Sequence, residues 1–433
     1  MFSRDEYLIG FGGVQIVVST MGGGVSRERF QFREYAGPKI TRTKVDRFSS
    51  PRMTSRKSMN RQKNNRRTKR VIKRRNTDSP RESSEEPFKL NMADFSFFGK
   101  ANRNVLGTGF ISKVRLLKNK RTAQFFVAKQ MSKTDIVKKN ALSQVNAEKN
   151  FLSQFAKSSA CSPFIVQFFG SFQDQQSVFL VYEYLPGGEL YRQLKIEGTF
   201  SNNQVKFYAA EILCAINYLH QLRILHRDLK PENVMLSADG HVKLIDFGFA
   251  KMMNKKGRCF TKLGTANYLA PEMLVHPSVL GRKGYGATAE WWAFGCLVFE
   301  LLTGSPAFGR SKDSTQSIYE KIRQGQRAKL PGRVDKDATA LLDSLLARDP
   351  AQRPQTGRQI MAHPWFTAVP WEMLEQQKIL PPHIPDIRHP GDTSYFDEYE
   401  CEPEPRPGRR RRDGGMENSK GSPFRSTTMF DAF

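Results

Sequence analysis

Three short motifs in a fixed order constrain this chain more than anything else in it. HRDLKPEN occupies residues 226–233, Asp246-Phe247-Gly248 follows, and Ala270-Pro271-Glu272 comes after that. HRDLKPEN is already specific, and an ordered series of this length is not expected outside one fold. Upstream, VLGTGFISKV at residues 105–114 carries two glycines, Gly107 and Gly109, at a turn between predicted strands. Two glycines in ten residues decide nothing by themselves. Lys129 stands in a predicted strand, VAK, and Glu148 in a helical stretch beyond it.

The runs VLGTGF, KVRLL, QFFVAKQM, FIVQFFGSFQ and SVFLVYEYL read as strands. One helix is predicted within TDIVKKNALSQVNAEKNFLSQF. From about residue 188 the chain turns helical, in VKFYAAEILCAINYLHQL, AEWWAFGCLVFELLTG and ATALLDSLLA. A small β-rich unit before a larger helical one predicts an α+β fold of two lobes with a cleft between them.

The 433-residue chain carries a net charge of +27. Residues 1–90 hold 22 Lys/Arg against 9 Asp/Glu, an excess of 22 − 9 = +13. The peak, RQKNNRRTKRVIKRR at residues 61–75, contains no acidic residue, and self-repulsion predicts disorder there. It reads as a solvated tail, a nuclear import signal, or a contact for an anionic surface, lipid or nucleic acid. It lacks the interleaved aromatics that stack on bases. Five scattered cysteines without a C-x-x-C pair argue against a disulfide framework and against a zinc site. No apolar run is long enough to span a membrane. The faintly apolar stretch at residues 7–25 follows Asp5 and Glu6, where a secretory signal has positive charge.

With these motifs in view, the chain resembles eukaryotic protein kinases across roughly residues 95–366. The resemblance implies a bilobal kinase fold and phosphoryl transfer from Mg·ATP to protein serine or threonine. By it, Asp228 accepts the substrate hydroxyl proton, Lys230 reaches the γ-phosphate, and Thr265 bonds to both. Asn233 and Asp246 hold Mg²⁺. Lys129 pairs the α- and β-phosphates and Glu148 holds Lys129. Leu106, Gly107, Thr108, Gly109, Val114, Glu183 and Leu185 line the nucleotide pocket. The third loop glycine is replaced by Ser112, which is expected to leave a working loop with altered nucleotide kinetics, because the first two glycines supply the tight turn and exposed amides. The complete polar set argues against a pseudokinase scaffold, and against a basic nucleic-acid or membrane adaptor as the sole role.

Finer motifs are similar to the AGC group: DFGFAK, LGTANYLAPE and YEYLPGGELY, then GDTSYFDEYE at residues 391–400 and a terminal F-x-x-F at Phe430 and Phe433. The resemblance brings Phe396 to the nucleotide pocket and docks the terminal phenylalanines on the small lobe. It divides the chain into a basic extension (1–91), a kinase domain (92–366, small lobe 92–185, large lobe 186–366) and a C-terminal tail (367–433). Glu189, Glu232 and Glu300 match positions that bind arginines placed before the phosphoacceptor, through charge-assisted bidentate bonds. Thr261 matches the activation-loop phosphothreonine, with Arg227 and Lys251 as its cationic partners.

The departures carry further expectations. Gln144 replaces a histidine, removing one tether to that phosphate. Glu290 replaces an aspartate that caps the catalytic loop, and the extra methylene is expected to loosen it. Phe260 replaces a tryptophan that grips the regulatory subunit, so a cyclic-AMP-binding regulatory partner is a weaker expectation than basic protein substrates. Lys262 suggests tolerance of an acid after the phosphoacceptor. Thr77, in Arg74-Arg75-Asn76-Thr77-Asp78, is then an autophosphorylation candidate, and Arg411-Arg412-Asp413-Gly414 has pseudosubstrate spacing with no hydroxyl. The expected location is cytoplasmic, with the nucleus as an alternative.

Overall fold

The computed structural model describes residues 6–11, 14–19, 90–99, 105–157, 161–261, 263–275, 284–310, 312–399, 427–431 and 433. Thr77, the basic run at 61–75, Lys262 and the arginines near 411 lie outside these described residues. Within the N-terminal extension, β1 (Glu6–Phe11) and β2 (Val14–Ser19) form an antiparallel hairpin.

The small lobe is a six-stranded antiparallel sheet. Its strands are β3 (Phe95–Phe97), β4 (Val105–Thr108), β5 (Ser112–Asn119), β6 (Phe125–Ser132), β7 (Phe168–Gln173) and β8 (Ser177–Glu183). The path runs β3-β5-β6-β8-β7, and β4 pairs with β5 as well. Alternation along β8 gives the sheet two buried faces. Phe179 and Val181 point into a small cluster with Phe95, Leu117, Ala128 and Phe172. Val178, Leu180 and Tyr182 point the other way, toward a helix and the large lobe.

The single helix expected after β6 is two: α1 (Lys133–Lys138) and α2 (Leu142–Ala156). Asn140 sits between them at φ 51°, the left-handed region that a short polar side chain tolerates and a helix interior does not. On α2 the residues Val145, Glu148, Leu152 and Phe155 are buried. Their spacing makes one helical stripe, so Glu148 occupies a position that would otherwise be apolar.

In the large lobe come α3 (Leu190–Glu197), α4 (Asn202–Gln221) and the short strands β9 (Ile224–Leu225), β10 (Val234–Leu236), β11 (Val242–Leu244) and β12 (Lys251–Met252). Then follow α5 (Ala287–Thr303), α6 (Thr315–Gln324), α7 (Lys336–Leu345), α8 (Gly357–Met361) and α9 (Trp371–Glu375). A Ser201/Gln204 capping box starts α4. Gly304, at φ 75°, ends α5. Helix α5 is apolar around almost its whole circumference and is buried accordingly, with Trp291, Trp292, Phe294 and Phe299 fully enclosed. Each large side chain so buried contributes about 1.5–3 kcal/mol.

The tail runs back over both lobes. Gly188, at φ 70°, admits it closely: a Cβ there would stand 2.5 Å from Tyr395 O. Phe430 is buried against the small lobe, its carbonyl accepting from Gln173 Nε2 at 2.9 Å. Lys133 Nζ lies 5.3 Å from the Phe430 ring centre, and Lys149 Nζ 5.0 Å from that of Phe433. The docking expected for the terminal phenylalanines is therefore present. No helix among the described residues is long and apolar enough to cross a membrane.

Candidate active site

The HRDLKPEN loop runs between β9 and β10, and the β10–β11 hairpin fixes its geometry. Asn233 accepts through its backbone carbonyl from Ile245 N at 2.9 Å, which sets Asn233 beside Asp246 across the hairpin. Arg227 at φ 70° and Asp246 at φ 59° both hold the left-handed region. Non-glycine residues in such conformations cost on the order of 1–3 kcal/mol each and concentrate at functional sites.

Asp228 is held from several sides. Oδ1 accepts from Thr265 N at 3.1 Å and Thr265 Oγ1 at 2.8 Å. Oδ2 accepts from Asn233 Nδ2 at 2.9 Å and lies 3.0 Å from Lys230 Nζ. Lys230 Nζ also donates to Thr265 Oγ1 at 3.1 Å. A carboxylate so bound is fixed in direction and, with Lys230 beside it, can take a proton from a hydroxyl placed before it.

Across the cleft Lys129 Nζ lies 2.9 Å from Glu148 Oε1, 3.0 Å from Glu148 Oε2 and 2.8 Å from Asp246 Oδ1. Burial pulls the Lys129 ammonium down, but Asp246 and Glu148 together outweigh it and hold it above the ordinary lysine range. The Lys129 charge beside Asp246 lowers that carboxyl to about 2 against the cost of burial. Glu148 is fully enclosed and shares its lysine, so burial raises its carboxyl despite the lysine. Tyr182, which the sequence reading did not single out, donates its hydroxyl to Glu148 Oε1 at 2.8 Å.

The glycine loop is closed by Gly109 N donating to Ser112 O at 2.8 Å. Ser112, buried, therefore completes the turn as expected of it. Leu106 is buried, Gly107 and Val114 are partly open, and Thr108 and Gly109 are exposed. Lys139 Nζ stands 4.0 Å from the Phe110 ring centre and donates to the Phe110 carbonyl, tying the loop tip to the end of α1. Leu185 is buried where the lobes join. Glu183 accepts from Gln167 N at 2.6 Å and pairs with Lys243 at 3.0 Å. Phe396 stacks on Tyr184 with ring centres 5.9 Å apart, which brings the tail to the same junction.

Three carboxylates gather beside the catalytic loop. Burial and the nearby Glu232 and Asp397 push Glu189 up to about 7. The residue keeps contact with solvent, and a bound cation would relieve both its partial desolvation and the crowding of like charges. Glu232 Oε2 is buried and meets no hydrogen-bond partner among the described residues. Burial also raises Glu300, which accepts from Tyr268 OH and feels the Glu232 charge.

Below the loop, Arg227 Nη1 donates to Thr261 Oγ1 at 2.6 Å, and Tyr285 OH donates to Thr261 O at 2.7 Å. Lys251 is exposed on β12, paired through its backbone with Leu225. Glu290 accepts from Arg227 N at 2.8 Å and meets His220 Nε2 at 2.6 Å. The longer side chain still reaches the loop and also meets His220. Glu272, in the third motif, forms a bidentate pair with buried Arg353 at 2.8 and 2.9 Å. Arg353 was not read from the sequence, because its partner lies far upstream and its surroundings look like an ordinary loop.

The residues available for a divalent cation are Asn233 and Asp246. Both offer hard oxygen ligands, and Asn233 Nδ2 is committed to Asp228, which turns its amide oxygen elsewhere. No cluster of three or more His, Cys, Asp or Glu suited to a metal occurs among the described residues. The pair suits Mg²⁺, which takes one or two protein ligands and completes its shell with phosphate oxygens and water.

The chain matches the protein kinase domain family over residues 101–366. It is 38% identical over 325 residues to the human protein named cAMP-dependent protein kinase catalytic subunit PRKX, covering 74% of this chain and 85% of that one. It is 40% identical over 302 residues to the cAMP-dependent protein kinase catalytic subunit of Dictyostelium discoideum, covering 69% of this chain and 44% of that longer protein. Against cAMP-dependent protein kinase type 3 of Saccharomyces cerevisiae it is 38% identical over 316 residues, covering 72% and 74%. Family match, bilobal fold and site geometry agree, and the chain belongs to the protein kinase family as an AGC-type serine/threonine kinase similar to cAMP-dependent protein kinase catalytic subunits.

Proposed function

We propose that this kinase uses Mg·ATP to phosphorylate serine or threonine placed after arginines. The observation that carries the arginine preference is the gathering of Glu189, Glu232 and Glu300 beside Asp228, with no ion pair closing on them among the described residues. Like charges crowded at one place are costly without a cation, one Glu232 oxygen is buried without a hydrogen bond among the described residues, and a guanidinium meets carboxylates bidentately.

In the proposed reaction the substrate oxygen bonds to the γ-phosphorus as the bond to the ADP oxygen breaks, and the hydroxyl proton passes to Asp228. Lys230 offers its charge to the transferring group. Lys129, held by Glu148, positions the α- and β-phosphates, and the Gly107–Gly109 loop covers them. Asn233 and Asp246 would hold Mg²⁺, which supplies electrostatic stabilisation of the phosphates when bound. Leu106, Thr108, Val114, Glu183, Leu185 and Phe396 would enclose the nucleoside.

Phosphorylation of Thr261 would strengthen a contact that Arg227 already makes, with Lys251 as a second cation within the same segment. Autophosphorylation at Thr77 and anionic contacts through residues 61–75 rest on sequence alone. A cyclic-AMP-binding regulatory subunit is a candidate partner, supported by the similarity to cAMP-dependent protein kinase catalytic subunits, and Phe260 is exposed where it would bear on such a partner. A cytoplasmic or nuclear location fits such substrates.

The test is a positional peptide library with wild type and Glu232→Gln. The expected result is selection of arginine two and three residues before the phosphoacceptor, reduced in the variant. Equal phosphorylation of peptides with and without arginine would overturn the preference.

A further inference from the structure

Lys129 cannot by itself fix Glu148, because the same ammonium also serves Asp246 at 2.8 Å. Nor do the ends of α2 hold it in place. Its N-cap residue, Ala141, makes no side-chain cap, the first turn has no acid and the last turn no base. Such a helix takes its position from tertiary contacts.

The sheet register supplies one. In β6 and β8, Lys129 lies opposite Leu180 and Val127 opposite Tyr182. Residues two apart share a face, so Tyr182 and Lys129 are diagonal neighbours on the face turned toward α2. Both reach Glu148 Oε1, Lys129 at 2.9 Å and the Tyr182 hydroxyl at 2.8 Å. Tyr182 is itself pinned. It is buried, and Phe168, opposite it in β7, sets its ring edge against it with centres 5.6 Å apart.

We infer that Tyr182 is a positioning residue for catalysis, its hydroxyl anchoring Glu148 from an interior strand of the sheet so that Lys129 stays aimed at the nucleotide phosphates. This rests on the proposed use of Mg·ATP. The anchor matters most when Lys129 divides its hydrogens between phosphate oxygens and carboxylates. At that point the ion pair weakens and the tyrosine bond does not. The arrangement makes Glu148 answer to β8 as well as to β6. It differs from a purely structural bond in acting on one substrate only: the nucleotide side of the site should feel its loss, and the peptide side should not.

The experiment is a double-mutant cycle of Tyr182→Phe and Glu148→Gln in the full chain, reading KM for Mg·ATP, KM for peptide and kcat. Tyr182→Phe should raise KM for Mg·ATP about tenfold, the worth of one hydrogen bond to a charged group, and leave KM for peptide unchanged. In the Glu148→Gln background the same change should add less than about twofold, because the residue acts through Glu148. Tyr182→Met removes the hydroxyl differently and must give the same pattern, which guards against a folding defect in either variant. An unchanged KM for Mg·ATP, or an equal effect in both backgrounds, would overturn the inference. A wild type with no phosphoryl transfer would instead sink the proposed function, and the inference with it.

Discussion

Glu189 shows how far a single side chain carries the substrate argument. Its carboxyl is pushed up to about 7 by burial and by Glu232 and Asp397. A raised carboxylate is neutral below that value and charged above it. KM for an arginine-containing peptide should therefore fall as pH rises from 6 to 8, while a peptide lacking arginine changes little. Steady-state kinetics across that range checks it, and Glu189→Gln should flatten the dependence. A wild-type KM independent of pH would remove the residue from arginine recognition. At this scale the sequence was most informative where identity alone implies chemistry, as at Lys129, Asp228, Asn233 and Asp246. It was least informative where a contact depends on three-dimensional register. Tyr182 reads as one more apolar residue in a strand, and only the pairing with Val127 turns its hydroxyl toward Glu148. At Glu290 the sequence shows the extra methylene but not His220, which sits on a different helix and meets its carboxylate.

Among the elements, strands and long helices were legible from periodicity. The break at Asn140 was not, since a polar residue at positive φ leaves no mark on the apolar pattern. The terminal F-x-x-F was legible as a motif, and its docking is explained by local chemistry: an apolar seat for Phe430, the Gln173 bond to its carbonyl, and lysine charges beside both rings. Because Lys149 follows Glu148 on α2, this element braces the helix that carries Glu148 of the Lys129–Glu148 ion pair. Phe430→Ala should lower stability by up to about 3 kcal/mol, at the lower end of the range for buried phenylalanine. It should also reduce kcat several-fold, as measured by thermal unfolding and kinetic assay. Wild-type stability with wild-type turnover would make the docked segment a passive contact.

For the whole molecule, the active site is an assembly of distant segments. β6 brings Lys129, α2 brings Glu148, the β9–β10 connection brings Asp228 and Asn233, and the turn after β11 brings Asp246. The lobes are joined by one core that runs from Val145 and Leu180 through Phe247 to Trp292. Burial thus places the two lysines and the carboxylates on facing walls of one cleft. The buried Glu272–Arg353 pair, with Arg353 also donating to Thr288 O and Arg348 O, secures the wall beneath the substrate side. A buried ion pair whose remaining donors are all satisfied gives geometry more than net stability. The measurement that tests this assembly most directly is transfer of labelled γ-phosphate from Mg·ATP to an arginine-flanked serine peptide, with wild type and Asp228→Asn side by side. The account predicts rapid labelling by the wild type and a loss of about 10²–10⁴-fold in the variant with nucleotide binding retained. Equal labelling by both proteins, or none by a wild type that binds Mg·ATP, would contradict it.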